Sequence, residues 1–398
     1  MSPPLSEFAA DRDGLQYALD LLTCDDVGDA VDLPDRLPES GIGAIGAIDA
    51  LSGAVLSASR DLGAPGFFAH MDPPTPWITW ALHQWIASRN QNLLHPDSAP
   101  AARDLEQRVV GWLAPLFAMS GGHMTPGSTL ANLTALWAAR EAGAADVVAG
   151  RGAYLSVKKA ANLLAMPHRV VDDWSRPGDV RRSAVVLTAG TTSTGEIESL
   201  DAASDARWRH VDAAWAGPLR LSDRHAHLLA GIERADSVAV SAHKWMFQPK
   251  ESALVLFRDV ESAHASISVD AAYLSVANVG ILGSHGAVAV PLLATLLAYG
   301  RCGVAEWIET TMTLADELWG LVEAHPDLEA RSRPHAGVLC WRHRTVGVDA
   351  VRANLPGDVL VSVTAVDGEL WLRSVAANPM ADPVRVVDGV LAAARACR

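Results

Sequence analysis

Ser237-Val-Ala-Val-Ser-Ala-His-Lys-Trp-Met-Phe-Gln-Pro-Lys250 is the stretch around which the chain is organised. Val238 to Val240 is a short apolar run that reads as a buried strand, and it delivers Ser241, His243 and Lys244 to its C-terminal end. Open α/β sheets carry their sites at that end. A lysine just past a buried strand, between His243 and Trp245, is an odd place for a solubilising charge. Desolvated there, a lysine loses its proton and attacks a carbonyl to form a Schiff base. On its own, such a lysine is more often a strand cap at the surface. Three upstream features reverse those odds.

The first is Gly121-Gly-His-Met-Thr-Pro-Gly-Ser-Thr129, a Gly-rich turn that opens a helix over Leu130 to Glu141. Ser128 and Thr129, beside Gly127, then sit at a helix N-terminus. Free backbone N–H groups, two hydroxyls and the positive end of the dipole make a phosphate site there, a role compatible with simple N-capping. The second is the apolar run Ala184 to Thr188, which ends in Ala189-Gly-Thr-Thr192. The third is Trp208-Arg-His-Val-Asp212, a strand ending in a carboxylate. A lysine nucleophile, a phosphate cradle and a buried carboxylate are what pyridoxal phosphate needs, with Asp212 holding the pyridine nitrogen protonated.

Composition sets the outer bounds. The chain has 398 residues, 49% hydrophobic and 20% charged, enough for a large core in one or two lobes. A net charge of −14 argues against nucleic acid and anionic membrane surfaces as partners. Cys24, Cys302, Cys340 and Cys397 are scattered without a CxxC, so neither a zinc site nor a disulfide framework is expected, and a reducing cytoplasm fits. Met-Ser-Pro-Pro-Leu-Ser-Glu at the start lacks the basic and apolar regions of a signal peptide. The apolar run Gly286 to Gly300 is too short to span a bilayer and reads as a core helix.

Along the chain, residues 1–55 read as one or two helices and a Pro-rich linker. Gly41-Ile-Gly-Ala-Ile-Gly46 matches GxGxxG, but no strand precedes it, so it reads as a helix start and not a dinucleotide site. Trp77, Trp80 and Trp85 suit a helix packing its apolar face, the reading preferred for Trp85. Phe67, Phe68, Trp77 and Trp80, with Asn92, are alternatively candidates to line a substrate pocket. Leu105, Val109, Trp112, Leu113 and Leu116 have helical spacing. Tyr154-Leu-Ser-Val157 leads into a helix carrying Lys158 and Lys159, and Ala253 to Phe257 is a further strand. Repeated βα units predict a mostly parallel, doubly wound sheet with helices on both faces. The last hundred residues, with strands near 337–341, 360–363 and 369–373, predict a smaller α+β lobe. The expected divisions are an N-terminal arm and pocket segment (1–98), a large cofactor domain (99–282) and a small C-terminal domain (283–398).

His210-Val-Asp-Ala-Ala-Trp215, Gly231-Ile-Glu-Arg-Ala-Asp-Ser237, His243-Lys244-Trp245, Thr188-Ala-Gly-Thr-Thr-Ser-Thr-Gly195 and Thr125-Pro-Gly-Ser-Thr-Leu-Ala-Asn132 together resemble the group II pyridoxal-phosphate-dependent amino-acid decarboxylases. Weaker similarity covers Leu93 to Trp112 and Ser268 to Leu274. Any one motif is weak; five in the family's order are specific. The resemblance implies an aspartate-aminotransferase-type fold (fold type I) and a homodimer with its sites at the interface. It matches Lys244 to the Schiff-base lysine, Asp212 to the ring-nitrogen partner and Ala214 to the alanine under the ring. It matches Ser128, Thr129 and Ser241 to phosphate contacts, His243 to the histidine beside the lysine, and Thr192 to a threonine near the cofactor.

Three departures bear on the chemistry. Tyr154 stands where the family usually places a histidine on the exposed ring face. The long mobile loop of the aromatic-amino-acid branch is missing or very short, because Tyr273-Leu-Ser runs almost directly into Asn278-Val-Gly-Ile-Leu-Gly-Ser-His-Gly286. His285 stands where some relatives have an arginine; it reads as a proton donor, a phosphate-side contact from the partner subunit, or a loop histidine. The expected reaction is decarboxylation of an L-amino acid, an apolar or aromatic side chain being favoured, to the amine and CO₂. Tyr154, His243 and His285 are the candidates to return the proton. Oxidative aldehyde formation, transamination or retro-aldol cleavage on the same scaffold are the competing reactions, and a degenerate, non-catalytic paralogue is the non-enzymatic alternative.

Overall fold

The computed structural model describes residues 8–24, 27–29, 32–272 and 274–397. It divides into two compact units, Met1–Asp61 and Leu62–Arg398. In the first, α1 (Arg12–Leu22) is capped by Asp11, which accepts from the N–H groups of Asp13 and Gly14 at 3.1 Å. Tyr17 Oη donates to Asp49 on α2 (Ala44–Ser52) at 2.6 Å, which ties the two helices together.

The second unit opens with α3 (Trp77–Arg89) and α4 (Ala102–Leu113). Strands and helices then alternate: β1 (Gly121–Thr125), α5 (Ser128–Glu141), β2 (Asp146–Gly150), α6 (Leu155–Leu163), β3 (His168–Val171), β4 (Ser183–Thr188), β5 (Trp208–Asp212), β6 (Ser237–Ser241) and β7 (Ala253–Phe257). After α7 (Val260–Ser266) comes a two-residue hairpin pair, β8 (Ser268–Val269) and β9 (Asn278–Val279). The chain then enters α8 (Ala289–Ala324), broken at Gly300, whose φ of 64° lies where only glycine is at ease. A four-stranded antiparallel sheet closes the unit, ordered β10-β11-β13-β12. Its strands are β10 (Leu328–Ala330), β11 (Val338–His343), β12 (Ser362–Val366) and β13 (Glu369–Val375), and it is accompanied by α9 (Val348–Ala353) and α10 (Pro383–Ala396).

The large sheet is ordered β1-β7-β6-β5-β4-β2-β3. The pairings β3-β2-β4-β5-β6 are parallel, β7 is antiparallel to β6, and β1 is antiparallel to β7. Two reversals restore the direction, so β1 runs with the parallel strands and ends at the same edge as they do. That edge therefore receives the turn after Thr125, the carboxylate at Asp212 and the residues after Ser241. Strands β4, β6 and β7 are buried along their whole length, as the continuous apolar runs of central strands require.

Two sequence expectations are corrected. Gly121 to Thr125 is an edge strand, not part of a turn. Gly122 permits it, because a Cβ there would lie 2.0 Å from Val255 O on the paired strand. On α3, Thr79 and Leu82 turn inward, while Trp77, Trp80 and Trp85 are 64%, 49% and 66% exposed. The tryptophan face expected in the core, Trp85 included, is the outer face of the helix. Strands β2 and β3 carried no expectation at all.

Candidate active site

Lys244 lies just past β6, on the turn that Ser241 begins. The Lys244 N–H donates to Ser241 O at 3.3 Å and the Phe247 N–H to Lys244 O at 3.1 Å, so the turn is tightly wound. Trp245 directs its ring inward onto Trp215, the residue three after Asp212. The two indoles stack at 4.2 Å between centroids and 13° between planes. Trp215 Nε1 donates to Ala336 O at 2.7 Å and Trp245 Nε1 to Thr311 Oγ1 at 2.8 Å. Both rings are fully buried, so the turns after β5 and β6 are locked to each other and to the C-terminal part of the unit. Gly190 completes the packing: its φ is 92°, and a Cβ would come within 2.8 Å of the Trp215 ring.

These turns enclose a cavity of about 170 Å³. Lys244, Asp212, Ala214, His243 and Tyr154 line it, as do Gly127, Ser128, Thr129, Ser241 and Thr192. Burial pushes the Lys244 ammonium below its ordinary lysine value. Asp212 and Asp72 oppose that shift, and Lys250 and Arg373 add to it. Lys244 Nζ stands 6.0 Å from the centre of the Tyr154 ring. Burial, with Lys250 and Lys244 nearby, lowers His243 to about 4, so its ring is neutral at physiological pH.

Asp212 is buried, and both its oxygens are met by N–H donors. Oδ1 accepts from the Ala214 N–H at 3.1 Å and Oδ2 from Asn132 Nδ2 at 2.8 Å. Asn132 also donates to Ser156 Oγ at 2.9 Å, and its Oδ1 faces His210 Nε2 at 2.9 Å. At the other end of the cavity, Ser128 Oγ and Ser241 Oγ are in a short hydrogen bond where α5 begins. First-turn N–H groups of a helix lack intrahelical acceptors and carry the positive end of its dipole. Two further lining groups, Thr188 Oγ1 and His243 Nδ1, are buried with no hydrogen-bond partner among the described residues. A phosphorylated pyridine aldehyde fits this set: hydroxyls and a helix N-terminus for phosphate, a carboxylate for a ring nitrogen, an amine for the aldehyde carbon.

The remaining predicted residues lie elsewhere. Phe67 and Phe68 belong to a segment added to the small sheet. Phe67 bridges to Leu360, the Phe68 N–H donates to Leu360 O at 3.0 Å, and Phe68 is fully buried among the small-sheet core side chains. Met71 is the residue of that segment that reaches the cavity. Trp77 and Trp80 point outward and do not line it. Asn92 and His285 meet in another place: Asn92 Nδ2 donates to Ser284 Oγ at 3.1 Å and the Leu93 N–H to His285 O at 2.9 Å. His285 lines a second cavity of about 150 Å³ with Glu106, His123 and His264, which shares no described lining residue with the first. Residues 270–277 form the connection between β8 and β9; Tyr273 lies outside the described residues.

Sequence reasoning did not single out Asn132, His210, Thr188 or Met71. Asn132 left a signal: it is a polar residue one turn after Ser128, surrounded by Ala131, Ala135 and Leu136 on the buried side of α5.

Residues 143–344, just over half of the chain, match the pyridoxal-dependent decarboxylase conserved domain. The L-2,4-diaminobutyrate decarboxylase of Rhizobium meliloti is 29% identical over 424 aligned positions, covering 92% of this chain and 85% of that protein. The aspartate 1-decarboxylase of Aliivibrio fischeri is 28% identical over 370, covering 75% of this chain and 67% of that protein. Among solved structures, the glutamate decarboxylase domain of the diaminobutyrate-pyruvate transaminase and L-2,4-diaminobutyrate decarboxylase from Vibrio parahaemolyticus superposes with a TM-score of 0.81. Its sequence identity is 21%, over 100% of this chain and 97% of that one. At that identity the likeness establishes the fold, which is fold type I. The sequence match establishes more: the chain belongs to the pyridoxal-dependent decarboxylase family, and is a pyridoxal-phosphate-dependent carboxy-lyase of amino acids.

Proposed function

We propose that Lys244 carries the cofactor and that the reaction removes the α-carboxylate of an L-amino acid as CO₂, releasing the matching amine. The observation behind this reading is the convergence of Lys244, Asp212 and the Ser128–Ser241 hydroxyl pair on one cavity. When bound, pyridoxal 5′-phosphate supplies an electron sink for the pair left on Cα as the carboxylate departs. Ser128, Thr129 and Ser241, with Gly127 opening the helix, would hold the phosphate. Asp212 would pair with the ring nitrogen, and Ala214, Tyr154 and Thr192 would bound the space for the ring.

Lys244, whose charged form is disfavoured by burial, exchanges a proton at Nζ with the substrate's amino group. His243 is neutral, and its Nδ1 has no hydrogen-bond partner among the described residues. Tyr154 Oη and His243 are the groups of this cavity able to return a proton to Cα. His285 opens on the second cavity and enters only through a partner subunit's site. We propose that the protein is a homodimer with interface sites, supported by the outward Trp77, Trp80 and Trp85. Sedimentation at equilibrium giving a monomer overturns that. We place the protein in the cytoplasm: its four cysteines are free, and no described helix is long and apolar enough to cross a membrane.

The apolar or aromatic preference rests on Phe67, Phe68, Trp77 and Trp80. None of the four lines the cavity, whose wall is largely hydroxyl-bearing and charged. The substrate class is therefore assigned no more narrowly than L-α-amino acids. The test is a visible absorbance scan of the purified protein with L-2,4-diaminobutyrate, L-aspartate, L-glutamate, L-histidine and L-tryptophan, with product mass spectrometry on the same samples. A cofactor band that moves with one of them, with release of the amine, is the expected result. A band that moves while an aldehyde or keto acid appears in place of the amine overturns simple decarboxylation to the amine. A colourless protein that cannot be reconstituted overturns the site assignment as well.

A further inference from the structure

We propose that Asn132 and His210 are positioning residues: with Ser237 and Trp208 they form a one-way chain of hydrogen bonds that holds Asp212 as an acceptor aimed into the cavity. The inference rests on reading Asp212 as the partner of the cofactor's ring nitrogen.

The direction of the chain follows from its ends. Trp208 Nε1–H can only donate, and it does so to Ser237 Oγ at 2.8 Å. Ser237 Oγ lies 2.9 Å from His210 Nδ1, and His210 Nε2 lies 2.9 Å from Asn132 Oδ1. At the far end a carboxylate can only accept, so Asn132 must turn its NH₂ towards Asp212 Oδ2, at 2.8 Å. The second N–H of that amide goes to Ser156 Oγ at 2.9 Å. With both N–H groups committed, Asn132 offers His210 only its carbonyl oxygen, so His210 Nε2 is the protonated nitrogen. Nδ1 is then bare and takes the Ser237 hydroxyl proton. Each group has one role, and all roles are filled.

The arrangement keeps an Asn132 N–H on Asp212 Oδ2. Turning the amide the other way would require the imidazole to change tautomer as well. His210, Ser237, Asn132 and Ser156 are all buried, so no solvent is at hand to absorb the error. The chain thus fixes the orientation of the Asp212 carboxylate at one remove, through groups that do not line the cavity. His210 and Asn132 come from β5 and α5, so the relay also fixes the helix that begins at Ser128 against the strand that ends at Asp212.

The test compares Asn132→Leu, His210→Phe, His210→Gln, Ser237→Ala and Asp212→Asn in the full chain. Two readouts need no substrate: the dissociation constant of pyridoxal 5′-phosphate by absorbance titration, and the visible band of the loaded protein at fixed pH. Thermal melting of each apo variant checks folding. Asn132→Leu and His210→Phe are expected to weaken cofactor binding about tenfold and to move the band in the direction that Asp212→Asn moves it. His210→Gln, which restores an N–H donor to Asn132, is expected to stay within about threefold of the native protein. If Asn132→Leu does not fold, Ser237→Ala decides at the far end of the chain, with a smaller shift in the same direction expected. Folded Leu and Phe variants with native affinity and native band overturn the inference. So does an equal loss in the Gln and Phe variants, which makes the effect one of packing. If Asp212→Asn itself changes neither readout, it is the reading of Asp212 that fails.

Discussion

Two sets of polar groups on the wall of the Lys244 cavity differ in how far the protein itself satisfies them. At Asp212, each carboxylate oxygen accepts an N–H, and the amide behind it is in turn oriented by His210. Thr188 Oγ1 and His243 Nδ1, by contrast, are buried without a partner among the described residues. Depth does not explain the contrast, since Thr188 and Asp212 are register partners on adjacent strands and both are buried. A buried polar group left unmet costs about 1–3 kcal/mol, so a fold does not keep two of them beside one cavity without a use. The difference teaches that the Asp212 set is fixed by folding alone, whereas the unmet set is completed by what binds.

The largest effects should come from the groups that face the ligand directly. Lys244→Ala is expected to abolish the visible band of the reconstituted protein and to lower turnover at least about a thousandfold. Full activity in that variant would dismantle the site assignment. Asp212→Asn keeps the shape and removes the charge; turnover is expected to fall roughly a hundredfold while some cofactor still binds. A loss as complete as that of Lys244→Ala would mean that Asp212 holds the fold of the site and not the ring.

A smaller effect tests the contrast itself. Thr188→Val replaces an unpartnered hydroxyl with a methyl of the same shape. The apo protein is expected to melt at the native temperature or slightly above it, while cofactor affinity falls severalfold. Asn132→Leu in the saturated set should do the opposite to the apo protein, costing about 2 kcal/mol by breaking bonds that exist without any ligand. Equal apo stabilities for the two variants, measured by urea unfolding, would erase the distinction between the saturated and the unmet groups.

The sequence made the strand ends legible because they are local. Ala184 to Thr188, Trp208 to Asp212 and Val238 to Val240 are short strand-like runs that each lead to a residue lining the cavity, and the structure brings all three ends to one edge. The hydroxyl-bearing helix start was legible from Gly127-Ser-Thr129 before a helical pattern. What escaped was non-local. Asn132 gains its meaning from His210 and Asp212, some eighty positions away, and no periodicity in α5 announces that partner. Phe67 and Phe68 were drawn to the pocket by their aromatic character. Pairing of their segment with Leu360 turns them into the small-sheet core and leaves Met71 to reach the cavity. The tryptophans of α3 show the limit of spacing alone: the helix is where it was expected, but its inner face is Thr79 and Leu82.

Acid titration should separate the two sets by the smallest margin. Burial lowers His210 from 6.5 to about 4, and His243 from 6.5 to about 4 with help from Lys250 and Lys244. For either ring the unfolded chain binds a proton below pH 6.5 that the native chain refuses until about 4. Stability from this source is therefore full above 6.5 and is lost as pH falls through that window. Each ring should contribute a loss of about 1 kcal/mol between roughly pH 6.5 and 5.5. His210→Gln does not titrate and keeps a donor for Asn132, so its stability should fall less steeply than that of the native protein over this range, with or without cofactor. The His243 share should behave differently if a phosphate is held, as proposed, at Ser128, Thr129 and Ser241, since an anion near that ring would favour its protonated form. Saturating pyridoxal 5′-phosphate should flatten that part of the slope and leave the His210 part in place. Urea unfolding at several pH values, for native and His210→Gln protein with and without cofactor, measures both shares. If the cofactor flattens the slope equally in both proteins, the saturated set is untouched by binding, as the contrast requires; if it acts only on the native protein, His210 senses the ligand and the two sets are one unit.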